Sequence, residues 1–151
     1  RRGRGLERRA FRTDAADDAA ARRRRQKVIT ATLNKDPWNN QCYDAYADMI
    51  VWTRLADGTW EYDFTVFDRW VRFMLDLGVG KYVNCYSMLP WNNMLHYKDA
   101  ATGEFVDVKA DPGTPAFREM WGPFLPAFVG HLREKDGSAS PTSLWTSVRP
   151  R

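Results

Sequence analysis

Large apolar residues are sparse and aperiodic through residues 1–25, where Leu6 and Phe11 stand alone among Arg, Ala and Asp. Such a stretch predicts a solvated arm rather than a packed element. From Lys27 the pattern changes. Val28–Leu33 (VITATL) is a β-branched run of the kind that fills a buried strand. Turn chemistry follows at Asn34–Asn40, and Met49–Arg54 and Thr59–Asp63 flank the hairpin signal Asp57-Gly58. Phe67, Trp70, Val71, Met74 and Leu75 then keep helical spacing, with Thr65 placed to cap, Asp68 three residues on and Gly78 at the stop. Val79–Met88 gives a second β-type run, Lys81–Tyr86 at its centre, and Pro90–Asn93 a second loop. Leu95–Lys98 and Phe105–Lys109 predict another hairpin around Thr102-Gly103. Thr114-Pro115 opens a last helix, with Phe117, Met120, Trp121, Phe124, Leu125 and Phe128 on its apolar face to about Lys135. Pro123 and Pro126 predict a kink or a break in it.

The order is therefore strand, hairpin, helix, strand, hairpin, helix. Alternation of this kind predicts an α/β fold with parallel strands joined by helical crossovers. Both hairpins leave from strand C-terminal ends, where a (β/α)8 barrel builds its active site. A whole barrel takes about 250 residues, so the expectation is a fragment of a TIM-type barrel, about two βα units with hairpin insertions.

Charge changes the picture only at the ends. The formal net charge is +4, but residues 1–25 hold +6 and residues 136–151 hold +1, leaving the body, 26–135, at −3. A mildly acidic body argues against a nucleic-acid partner. No run reaches the ~20 apolar residues of a membrane span, and no apolar core of an export signal is present. Cys42 and Cys85 are far apart and only His96 and His131 could join them, so neither a metal site nor a cofactor is expected.

Four ordered blocks carry a resemblance: Lys27–Asp48 (KVITATLNKDPWNNQCYDAYAD), Trp60–Trp70 (WEYDFTVFDRW), Asn84–Trp91 (NCYSMLPW), and Gly113–Lys135 with its GTPAF, WGPFL and HLREK segments. Together they resemble glycoside hydrolase family 123. The resemblance implies a (β/α)8 catalytic domain with exo-acting β-N-acetylgalactosaminidase activity and no cofactor. It also implies substrate-assisted retaining catalysis, in which the sugar's 2-acetamido oxygen attacks the anomeric carbon. An Asp orients that amide and the adjacent Glu protonates the leaving oxygen, an exception to the scheme with an enzyme nucleophile.

In the family that Asp-Glu pair follows the HLREK helix in a sequence like Ile-Ala-Met-Asp-Glu-Arg-Pro. Here the place holds Ser143–Pro150 (SLWTSVRP), without adjacent acids. Codons chosen for Thr142–Arg149 spell Ile-Ala-Met-Asp-Glu-Arg-Pro in another frame, the Asp and Glu codons falling under Trp145, Thr146 and Ser147. Codons compatible with Glu7–Arg25 shift likewise into an amphipathic helix leading to Gln26. Residues 26–135 are thus expected to form the partial catalytic barrel, and 1–25 and 136–151 to be frame-shifted, non-native flanks. The chain as written is expected to lack hydrolytic activity.

For binding, Trp38 and Trp91 follow the two strands and offer planes that can stack on a sugar's apolar face. Asn39, Asn84 and Tyr86 offer groups suited to sugar hydroxyls. The plainer reading of each is loop packing or backbone satisfaction. Tyr43 and His96 are weaker candidates, His96 being expected on a hairpin surface, while Asp63 and Asp68 are expected to serve the helix start. The partner expected is an N-acetylgalactosamine-containing glycan. The alternative is a carbohydrate-binding remnant that keeps the aromatic loops without the acids.

Overall fold

The structure is a computed structural model that describes residues 27–44, 46–79 and 82–138. Both outer arms, and with them the flanks that hold the frame reading, lie largely outside the described residues.

Strand β1 (Val28–Ala31) runs parallel to β4 (Tyr82–Cys85), pairing Ile29 with Val83 and Ala31 with Cys85. Lys81, expected in this strand, lies outside the described residues. Side chains alternate across a strand, which divides this two-stranded sheet into two unlike faces. Ile29 and Ala31 are buried, and Val83 and Cys85 pack against the same core, with helix α1 (Thr65–Asp76) contributing Phe67 and Val71. Trp70 on α1 donates its indole N–H to the Thr30 carbonyl at 3.0 Å. The other face carries Thr30, Tyr82 and Asn84, all exposed.

Each strand is followed by a loop and a hairpin, in the predicted order. Strands β2 (Val51–Arg54) and β3 (Trp60–Asp63) form the first hairpin, β5 (Met94–Asp99) and β6 (Phe105–Lys109) the second. The turn residues act as expected. Gly58 and Gly103 take φ of 84° and 77°, values that only glycine adopts without strain. The Asp57 carboxylate accepts from the Thr59 hydroxyl and N–H, at 2.6 and 2.9 Å, and is held below the usual carboxylate range. One feature differs from two independent excursions: β2 and β5 pair in parallel at Thr53–Lys98 and Arg54–Asp99, merging both hairpins into one sheet of order β3-β2-β5-β6. A join between strands some forty residues apart leaves no local mark in either hairpin.

Helix α2 (Pro115–Ser138) covers one face of that sheet with Met120, Trp121, Phe124 and Phe128. Trp52, 1% exposed, is the centre of this layer. It stacks on Phe124 (centroids 4.4 Å) and meets Trp60, Tyr62 and Trp121 edge-on. Burial lifts the Tyr62 hydroxyl to about 12.

The helix ends report both agreement and correction. Gly78 (φ 73°) donates to the Leu75 carbonyl and Val79 to that of Met74, a Schellman close to α1. Pro115 begins α2, and the Thr114 hydroxyl accepts from the Phe117 N–H at 3.2 Å. Thr65 is not a cap: it is the first residue of α1, and the Asp63 carboxylate accepts its N–H at 2.8 Å. Asp68 keeps its place in the first turn of α1, where a carboxylate suits the helix dipole, but makes no side-chain cap. It takes His131 Nε2 at 2.7 Å and Lys135 Nζ at 2.9 Å, tying α1 to α2. Nor do Pro123 and Pro126 divide α2. Gly122 supplies the Cβ-free neighbour that Pro123 needs, while the buried aromatic face holds the helix to the sheet.

Candidate functional site

The loops after β1 and β4 lie side by side. Asn34, 2% exposed, donates from Nδ2 to the Met88 carbonyl at 2.7 Å. Trp38 Nε1 donates to Ser87 Oγ at 2.9 Å, and the Trp91 N–H donates to the Pro37 carbonyl at 3.0 Å. Asn92 Nδ2 donates to Asn39 Oδ1 at 3.2 Å. These four bonds connect the same two segments, Asn34–Asn39 and Ser87–Asn92.

A short repeat underlies the pairing. Pro37–Asn40 and Pro90–Asn93 both read Pro-Trp-Asn-Asn, one copy after each parallel strand. Both prolines are fully buried. Five non-glycine residues with positive φ occur among the described residues: Asp36, Asn39, Asn40, Ser87 and Asn93, at 42° to 57°. All five lie in these two loops. Asn and Asp visit this region more readily than other side chains, and strained backbone concentrated in one place points to a functional surface. The repeat was available in the sequence as a signal for Asn40 and Asn92.

The structure brings four of the five sequence candidates into this surface. The Trp38 ring lies edge-on to Tyr46 (5.0 Å) and tilted against Tyr86 (6.2 Å). Tyr86 and Trp91 remain 48% and 56% exposed, so their rings are open to a ligand. Asn39 is exposed and bonded to Asn92. Asn84 stands apart on β4, exposed on the open face of the parallel pair two residues before Tyr86. Tyr43 is fully exposed.

His96 differs from its expected place. It lies on the β5 face turned away from α2, its side chain only 15% exposed, with Nδ1 2.6 Å from Asp48 Oδ2. Its ring stacks on Phe105 at 4.6 Å. The pairing follows from loop closure: Asp48 ends the β1 loop, and its Oδ1 also accepts the Lys35 N–H at 2.6 Å. Beside His96 opens a cleft of about 270 Å³. It is lined by Lys35, Asp36 and Asn40 of the first loop, Asn92 of the second, and Met94, His96 and Asp107 of the second hairpin. Lys35 Nζ reaches Asp107 at 3.7 Å, and both Asp36 oxygens accept the Asn40 N–H at 2.9 Å. Nearby, the Asn93 amide bonds Asp111 at 2.8 Å and, with Lys109, holds that carboxyl low.

The site is thus two surfaces meeting at the Asn39–Asn92 bond, one aromatic and one polar. Aromatic planes and convergent amide, hydroxyl and carboxylate groups on loops beyond parallel strands suit a polar small-molecule ligand, as in the catalytic domains of α/β enzymes. The comparisons specify the class. The model for the glycoside hydrolase 123 catalytic domain matches residues 13–149, and the chain belongs to that family of glycosidases.

No curated protein matches the sequence. Among solved structures, a family 123 glycoside hydrolase from Clostridium perfringens, analysed for glycolipid glycan hydrolysis, is similar at 35% identity with a TM-score of 0.67. The likeness covers 72% of this chain and 20% of that one. The chain therefore spans about a fifth of the length of that relative.

Proposed function

We propose that this chain carries two adjacent βα units of a (β/α)8 catalytic barrel that removes terminal β-linked N-acetylgalactosamine from glycans. In this reading β1 and β4 are neighbouring barrel strands, their exposed Thr30–Tyr82–Asn84 face the barrel interior, and the Trp38–Trp91 loops the rim of the sugar pocket. The observation that carries it is the pairing of the two Pro-Trp-Asn-Asn turns beside half-exposed Tyr86 and Trp91. Support for more barrel around this piece comes from exposed apolar side chains on both helices. Val66, Phe73 and Leu77 on and after α1, and Leu125 and Val129 on α2, are 42% to 58% exposed.

Hydrolysis in the family's manner requires an Asp to hold the 2-acetamido group and a Glu to protonate the leaving oxygen. Residues 143–150 contain neither, and the frame reading places both under Trp145–Ser147. Trp38, Asn39, Asn84, Tyr86 and Trp91 are proposed to bind sugar without performing the bond cleavage. The test is binding: the chain should bind N-acetylgalactosamine, and Trp91→Ala should weaken this about tenfold, the loss of one stacking plane. Equal affinity in both proteins would remove the aromatic loop from the site.

A further inference from the structure

We infer that the outward stripe of helix α1 is a self-docking surface, on which a second copy of this chain lays its own α1 antiparallel about a two-fold axis. In a whole barrel of the proposed kind a neighbouring helix covers this stripe. A chain of two βα units leaves it bare, and a second copy takes that place. The pairing stands on α1 alone and not on the sugar-binding reading of the Trp38–Trp91 surface.

Helix α1 carries two apolar rows. Phe67 and Val71 are buried in the core, with Met74 and Leu75 packed beside them. Val66, Trp70, Phe73 and Leu77 form the second row, at spacings of four, three and four residues. A helix turns about 100° per residue, so all four fall on one stripe about 16 Å long. Val66, Phe73 and Leu77 are 48%, 54% and 58% exposed. Trp70 lies tilted against Phe73 at 6.2 Å and is anchored by its bond to the Thr30 carbonyl.

Two features select a second copy as the occupant. The stripe reads alike from either end. With two α1 helices antiparallel about the midpoint between Val71 and Arg72, Val66 lies opposite the second copy's Leu77 and Trp70 opposite its Phe73. Aliphatic meets aliphatic and aromatic meets aromatic, the self-complementarity that an isologous contact requires. Charge follows the same symmetry. One flank of the stripe carries Arg69 and Asp76, both exposed and neither ion-paired among the described residues. The other flank is Phe67 and Met74, turned to the core. Antiparallel helices bring like flanks together, so Arg69 of each copy meets Asp76 of the other. Within one helix these two residues stand two turns apart, outside the three- and four-residue reach of side-chain pairs. Arg72 and Asp68 lie farther round, Asp68 being held by His131 and Lys135.

One three-turn helix on another is a contact at the small end of interface size, so a dissociation constant of roughly 10–100 µM is expected. Sedimentation velocity of the full chain across that range tests it. The parent should pass from monomer to dimer, and Phe73→Glu, its helicity checked by circular dichroism, should stay monomeric. Arg69→Asp and Asp76→Arg should each raise the dissociation constant about tenfold, because both cross-pairs become repulsive. Mixed in equal amounts, these two variants should form a dimer of one copy of each, in which both contacts again join opposite charges. A purely structural role of either residue in its own chain would not be rescued by mixing, and this arm does not depend on the Phe73 variant. A parent that stays monomeric, a dimer that survives Phe73→Glu, or a mixture no tighter than either variant alone overturns the inference.

Discussion

Cys85 offers a direct measurement of how the parallel pair is seated. It is the last residue of β4, partnered with Ala31 and turned towards Ile29, Phe67 and Val71. Burial on this face pushes its thiol from the ordinary 9.0 up to about 11. Only the thiolate is nucleophilic. At about pH 8, below both values, a two-unit rise cuts the thiolate fraction about a hundredfold. Iodoacetamide should therefore alkylate Cys85 at least a hundredfold more slowly in native buffer than in concentrated urea, with Cys42 replaced by Ser to leave a single thiol. The sign also fixes a stability effect. Because the folded value is raised, the contribution is complete below the unfolded value of 9.0 and is lost as pH rises towards about 11. Its upper limit is about 2–3 kcal/mol. Since side chains alternate along β4, protection of Cys85 also places Asn84 on the opposite, open face. Equal alkylation rates in native and denaturing buffer would refute the seating of β4 and the assignment of Asn84 together.

Other outcomes follow from named contacts. Trp52→Ala should destabilise by about 3–5 kcal/mol, read as a lower urea midpoint, because it removes the buried ring that joins the first hairpin to α2. Asp63→Ala should cost about 0.5–1 kcal/mol through the lost bond to the start of α1. Hydrogen bonding to Thr65 holds the Asp63 carboxyl below 3.8, so its stabilisation is present above that value and fades as pH falls through the lowered one; acid titration of helicity checks it. Purified chain should release no chromophore from a chromogenic β-N-acetylgalactosaminide; measurable turnover would overturn the assignment of catalysis to residues it lacks. Sequencing the encoding DNA should find codons under Trp145–Ser147 that read Asp-Glu in another frame, and codons that cannot do so would end the frame explanation.

Local chemistry made most of the elements legible. Asp57-Gly58, Thr102-Gly103, Gly78 and Thr114-Pro115 each act within a few residues of themselves, and each appears where the pattern put it. What escaped was long-range. The β2–β5 pairing, the Asp68–His131 tie and the Asp48–His96 bond join residues 45 to 63 positions apart, and neither partner carries a mark of the other. His96 was therefore misplaced on the surface. The placement of Trp38, Tyr86 and Trp91 in the segments that follow β1 and β4 was legible from the order of strand and loop runs, but the sequence could not show that Trp38 also holds Ser87. The duplicated Pro-Trp-Asn-Asn was visible and is the one missed signal with a local form.

The two faces of the β1–β4 pair carry the argument about incompleteness further than sequence length does. On the helix side, Ile29, Ala31, Val83 and Cys85 are closed by α1, and Trp70 bonds back to Thr30. On the other side Thr30, Tyr82 and Asn84 stand exposed, and each strand has one partner among the described residues. A sheet covered on the helix side and open on the other has the sidedness that the proposed barrel wall requires. In the four-stranded hairpin sheet β2 and β5 are each paired on both sides, and its aromatic cluster around Trp52 and Phe124 continues into the core shared with Ile29, Phe67 and Val71. Stability in this chain should therefore reside in the hairpin sheet, with the parallel strands β1 and β4 held by their loops. Hydrogen exchange tests that order: amides of β2 and β5 should outlast those of β1 and β4, and the reverse ranking would place the folding core in the parallel pair.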